Sequence, residues 1–278
     1  MAKPNVAEEN GYRCEPFETG RVSHDVYRGG DSGPVVLLLH EMPSFSWRTV
    51  RLANHIRDQG YRIVMPILVG GIRDKPVGRV RKKVAVLGAG LEFGVNLAKV
   101  CVSSQFVALL QGRTSPITLW LLELARAEAA RHGQRQVGVI GMCFSGGFSL
   151  ASAIDPVVGV AVVSQPALPF AVGPMKLIPG QAADLGLSKP DHDRLIGRVD
   201  QPDFCVRVFR YASDSIAPKA RVQRIQDELG PAATLTWIPG RGHPVLSNAT
   251  DGEAHDEKAD LDAALASVVA TLDERLKP

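Results

Sequence analysis

The chain has 278 residues, 45% of them hydrophobic and 22% charged, the balance of a soluble globular protein with room for one large domain. Net charge is only +3, and the one dense basic run, Arg73 to Lys83, carries no aromatic or motif signature, so it reads as a solvated loop and no nucleic-acid partner is expected. No stretch approaches the roughly 18 consecutive apolar residues of a membrane span, and the polar start lacks the apolar run of a signal peptide.

Along the chain, apolar runs alternate with amphipathic ones. PVVLLLH (Pro34 to His40) is a buried strand that ends in polar residues. Ser46 to Gly60 has helical spacing and a glycine stop, and Tyr61 to Pro66 is a second strand. Ser115 to Gly133 is a strong helix with a serine cap, a proline at its first position and a glycine at its end. QVGVIG follows as a strand, then a helix after Cys143, then a strand from Val157 to Pro166. Phe204 to Ala212 and Thr234 to Gly240 are two more strands, with the helix PKARVQRIQDELG between them, and a long amphipathic helix closes the chain. Strand and helix alternating in this way predict an α/β fold: a mostly parallel sheet flanked by helices on both faces. Two segments break the rhythm. Val69 to Val84 is glycine-rich and basic; residues 166–202 are rich in proline and glycine and read as a lid or insertion in a single domain.

The chemistry concentrates at VGVIGMCFSGGFSLASA, where a strand meets a helix at Cys143. A nucleophile on such a turn needs small residues two before and two after it, because backbone atoms crowd there; Gly141 and Ser145 supply them. The helix N-terminus favours a thiolate over a thiol, so a cysteine suits the position. Ser145 lies two residues into the helix, where its side chain turns away from the corner. A nucleophile also needs a base and an orienter. Asp214 in RYASDSIAP and His243 in IPGRGHPVL each follow a predicted strand, at the carboxyl end of the sheet and in the order nucleophile, acid, histidine. His40 ends the first long strand, where it could line the site. The four cysteines, Cys14, Cys101, Cys143 and Cys205, are far apart, which fits neither a zinc site nor a disulfide framework and points to a reduced, cytoplasmic setting.

GMCFSGG, YASD and GRGH, with LLLHEMPSF near the start, resemble the dienelactone hydrolase family of α/β-hydrolases from about Val22 to Leu276. The resemblance implies a triad of Cys143, His243 and Asp214. It also implies that Glu41, in the HE pair with His40, accepts a hydrogen bond from the resting thiol. Its oxyanion hole corresponds to the backbone N–H groups of Met42 and Phe144. The family's substrate-carboxylate contacts directly after the histidine and four residues after it fall on Pro244 and Ser247, which cannot make them; Arg113 is the candidate for the remaining anion clamp. The expected activity is hydrolysis of a small ester or lactone, carboxylate-bearing if Arg113 serves, through an acyl-cysteine and without metal or cofactor. Thioester hydrolysis or acyl transfer on the same triad is the alternative, and a non-catalytic ligand-binding or redox-sensing thiol protein is a third reading. The oligomeric state is not readable from the sequence.

Overall fold

The computed structural model describes residues 4–74, 114–170 and 178–277. A short capped turn, α1 (Val6–Glu9), precedes two antiparallel strands, β1 (Arg13–Thr19) and β2 (Val22–Gly29). Then come β3 (Val35–Leu39), the two-residue β4 (Phe45–Ser46), α2 (Trp47–Asp58), β5 (Arg62–Pro66) and the two-residue β6 (Ile72–Arg73). After residue 113 the order is α3 (Pro116–Arg131), β7 (Val137–Met142), a 3-10 turn (Cys143–Ser145), α4 (Gly146–Ser152) and β8 (Val158–Ser164). The chain closes with α5 (Lys189–Ile196), β9 (Cys205–Tyr211), α6 (Lys219–Leu229), β10 (Ala233–Ile238), α7 (Leu246–Thr250) and α8 (Lys258–Leu276).

Eight strands form one sheet in the order β1-β2-β5-β3-β7-β8-β9-β10. From β5 to β10 every pairing is parallel; β2 runs antiparallel to β5, and β1 to β2. The expected mostly parallel sheet is present, with two antiparallel strands at one edge that the sequence pattern did not signal. β1 is exposed along most of its length, so it has no apolar alternation to read. The central strands are buried on both faces, which is why they read as unbroken apolar runs. Their side chains alternate between two cores. Val35, Leu37, Leu39 and Val139 pack with Trp120, Leu124, Phe148 and Ile225 on one face. Val36, Leu38, Ile140 and Met142 pack with Leu52, Ile56, Leu265 and Val268 on the other. Helices therefore cover both faces, as expected, and the strand ends are left to carry the site.

The described part of residues 166–202 is tied to the body of the protein. Arg221 on α6 is 1% exposed. Its guanidinium donates to the carbonyls of Asp184 (2.6 Å), Pro166 (3.0 Å), Gln181 (3.1 Å) and Pro169. Within this segment, α5 begins at the Ser188 cap, whose hydroxyl accepts from the Asp191 N–H at 3.2 Å.

Candidate active site

Cys143, Gln165, Asp214, His243 and Glu41 all follow the carboxyl ends of strands in the central sheet. Cys143 sits at φ 58°, a left-handed conformation that costs a non-glycine residue on the order of 1–2 kcal/mol. The crowding predicted around it is real: a Cβ on Gly141 would lie 2.2 Å from the Ser145 carbonyl oxygen. Ser145 is fully buried and turned back into the corner. Its Oγ accepts from the Met142 N–H at 2.9 Å and lies 2.9 Å from the Met142 carbonyl and 3.1 Å from that of Leu39. Its hydroxyl is thereby spent on holding the elbow against β3.

Asp214 follows β9. Its Oδ1 accepts from the N–H groups of Ile216 (2.8 Å) and Ala217 (3.1 Å), and its Oδ2 accepts from His243 Nδ1 at 2.8 Å. One carboxylate thus closes the turn before α6 and orients the imidazole. Four further bonds hold that turn from behind. The buried Arg210 donates to the carbonyls of Tyr211 (2.5 Å), Ala212 (2.9 Å), Asp214 (2.8 Å) and Ala217 (2.8 Å). His243 follows Gly242, where a Cβ would lie 2.7 Å from the Tyr211 ring, so the loop can take its path only with glycine there. His243 Nε2 is buried without a fully formed hydrogen bond and faces the Cys143 sulfur. Burial alone would lower the His243 pKa; the Asp214 hydrogen bond and the adjacent Cys143 sulfur outweigh it and push it up to about 10.

Glu41, after β3, does not accept a hydrogen bond from the thiol. Its Oε1 accepts from Gln165 Nε2 at 2.7 Å and its Oε2 from Ser247 Oγ at 2.9 Å. Desolvation raises its pKa, against the opposing effects of His243, Ser247, Arg48 and Gln165. Ser247, at the position where the resemblance calls for an arginine, is therefore a partner of Glu41. His40 is fully buried and does not line an open site. Its Nδ1 hydrogen-bonds the Glu41 carbonyl at 2.8 Å, and its Nε2 accepts from the Leu68 and Val69 N–H groups at 3.0 and 3.4 Å. Both ring nitrogens are committed to the fold, and burial pushes the ring's pKa down to about 4. Phe144 is fully buried in the 3-10 turn, and Met42 directly follows Glu41. Arg113 lies outside the described residues. Sequence reasoning missed Gln165 and Arg210, which carry no local motif.

No protein-family model and no curated protein sequence matches the chain. Solved structures do. A cold-adapted esterase from an Arctic intertidal metagenomic library superposes with a TM-score of 0.57 at 16% identity, over 96% of this chain and 94% of that one. A dienelactone hydrolase-like promiscuous phosphotriesterase from metagenomic libraries gives 0.56 at 14%, over 95% and 98%. An esterase from Pyrococcus furiosus gives 0.54 at 12%, over 99% and 97%. With the parallel sheet, the antiparallel edge and the strained residue at the strand-to-helix corner, these likenesses establish that the chain adopts the α/β-hydrolase fold.

Proposed function

We propose that the protein hydrolyses a small carboxylic ester or lactone through an acyl-cysteine. The observation that carries this reading is the line of three groups at the strand ends: Cys143 at φ 58°, His243 Nε2 facing it, and His243 Nδ1 held 2.8 Å from Asp214. The Cys143 sulfur attacks the acyl carbonyl carbon. Its proton passes to His243 Nε2, which delivers it to the leaving oxygen. His243 then takes a proton from water, whose oxygen attacks the thioester and releases the acid and the thiol. Asp214 fixes the tautomer with the proton on Nδ1 and stabilises the imidazolium. The Phe144 N–H, in the first turn after the corner and so without an intrahelical acceptor, together with that of Met42, holds the oxyanion. One such donor is worth about 2.7–4 kcal/mol of barrier.

The test is rapid-quench intact-mass analysis after mixing with a small activated aryl ester, followed by peptide mapping. An acyl group on the Cys143 peptide, absent in Cys143→Ala and decaying more slowly in His243→Ala, supports both roles. Turnover that survives Cys143→Ala, or no adduct and no turnover while Cys143 remains alkylatable, refutes the reading.

A further inference from the structure

Among the described residues, two non-glycine residues have positive φ: Cys143 and Gln165. The first is accounted for by the corner that presents the thiol. The second sits at φ 35° directly after β8, on the strand next to that of Cys143, and is fully buried. Backbone strain of this kind persists where the surroundings over-determine it. If only the backbone path mattered at residue 165, glycine would follow it without strain. A long polar side chain kept at such a position, with no exposed surface, points to work done by its amide.

That work is visible in its contacts. The Gln165 N–H donates to the Phe209 carbonyl at 2.7 Å, which fixes the residue between β8 and β9. Its Oε1 accepts from the neighbouring Ser164 hydroxyl, which leaves the amide nitrogen to point the other way. Nε2 then donates to Glu41 Oε1 at 2.7 Å, while Ser247 Oγ donates to Oε2 at 2.9 Å. Each carboxylate oxygen has one neutral donor, one from the residue after β8 and one from α7. The charged and titratable groups facing Glu41 are His243 from the loop after β10 and Arg48 from α2, with Cys143 across from His243. Arg48 is itself drawn to Asp251 (3.3 Å) and Glu253 (3.6 Å). No arginine or lysine among the described residues makes a salt bridge to the carboxylate, so its hydrogen bonds come from Gln165 and Ser247.

We propose that Gln165, with Ser247, is a positioning residue that holds the Glu41 carboxylate in one orientation beside His243 and favours its charged form. An amide N–H can only donate, and donation favours the carboxylate over the carboxylic acid. The strain at residue 165 is what aims that donor. The carboxylate thereby presents a fixed negative charge to the imidazolium that the acyl-transfer cycle forms. This last consequence rests on the hydrolase reading given above; the effect on Glu41 itself does not.

The test titrates Glu41 directly, by carbon-13 NMR of the side-chain carboxyl in protein labelled at glutamate, with the Glu41 signal assigned by its loss in Glu41→Gln. Two variants are compared with the wild type. Gln165→Asn keeps an amide and a residue that tolerates positive φ, but is one methylene too short to reach; Ser247→Ala removes the second donor with little change in volume. Each is expected to raise the Glu41 midpoint by at least about half a pH unit, as loss of a donor to a charged group requires. The acidic limb of kcat/KM for the aryl ester moves up by the same amount. A Glu41 midpoint that stays put or falls in folded Gln165→Asn and Ser247→Ala overturns the proposal and leaves both residues as packing. A midpoint that rises in an enzyme with no esterase turnover upholds the clamp and counts against the hydrolase reading alone.

Discussion

His40 makes a prediction that can be worked to a magnitude. Its ring is fully buried, with Nδ1 on the Glu41 carbonyl and Nε2 accepting from the Leu68 and Val69 N–H groups. Protonating Nε2 would turn an acceptor that two N–H groups point at into a third donor, inside a cage that includes Phe45 and Phe144. The folded protein therefore resists protonation, and the pKa is pushed down to about 4, first by burial and then by the neighbouring His24, from an ordinary value near 6.5. The unfolded chain takes up the proton first as the pH falls. His40's contribution to stability is thus fully present above pH 6.5 and is lost progressively down to about pH 4. At 1.36 kcal/mol per unit the whole loss is about 3 kcal/mol, of which about 2 kcal/mol has gone by pH 5. The assay is equilibrium unfolding in urea at pH 7, 6 and 5, for the wild type and for His40→Gln, which hydrogen-bonds but does not titrate. Other groups titrate in both proteins, so the difference isolates the imidazole. The wild type should lose about 2 kcal/mol more than the variant between pH 7 and pH 5. Parallel losses would refute the argument, because they would mean that His40 titrates alike in the folded and unfolded states.

Ser145→Ala should keep the acyl adduct on Cys143 while lowering stability by about 1–3 kcal/mol, since the buried Met142 N–H loses its acceptor; intact mass and thermal melting check the two halves. Gly141→Ala should abolish the elbow, because the new methyl would sit 2.2 Å from the Ser145 carbonyl oxygen; a variant with wild-type melting temperature and activity would refute the steric reading. Arg210→Lys keeps the charge but replaces the fork that reaches four carbonyls of the Asp214 turn, so kcat should fall with KM little changed and stability should drop by about 1–3 kcal/mol. Asp214→Asn should lower kcat on the order of 10⁴-fold, measured with the aryl ester.

Much of this architecture was legible because it depends on local pattern. The unbroken apolar runs marked the inner strands, and capping serine, N-terminal proline and terminal glycine marked α3 within two residues of its observed ends. Cys143, Asp214 and His243, which the structure brings together, could be singled out because each follows a predicted strand. What escaped is non-local. Glu41 meets Gln165 across 124 positions and Ser247 across 206, and nothing near Gln165 in the sequence distinguishes it from any other polar residue at the end of a predicted strand. The expected thiol contact of Glu41 gave way for the same reason: its oxygens found donors on Gln165, after β8, and on Ser247, in α7. His40 was readable as a residue at the mouth of the sheet, but its orientation depends on the backbone of residues 68–69. Arg210 and Arg221 lie within a strand and a helix that the sequence predicts, and their role as hubs for four carbonyls each appears only once the loops have folded around them.

The polar groups around the thiol form a graded set, and the grading follows from which partners each group was given. Asp214 touches His243 directly and keeps one oxygen for the backbone of its own turn, so it can neither rotate nor leave. Glu41 is a second carboxylate beside the same imidazole. An amide and a hydroxyl, both donating, fix its geometry and favour its charged form against the burial that raises its pKa. His40, one residue away, is stripped of charge by burial and serves as a neutral strut. Two histidines, one on either side of Glu41, are thus driven in opposite directions, His243 up to about 10 and His40 down to about 4, by their surroundings and not by their type. Among the described residues His243 alone combines a carboxylate on one nitrogen with an unsatisfied nitrogen facing the sulfur, which is what the proposed proton exchange with Cys143 requires.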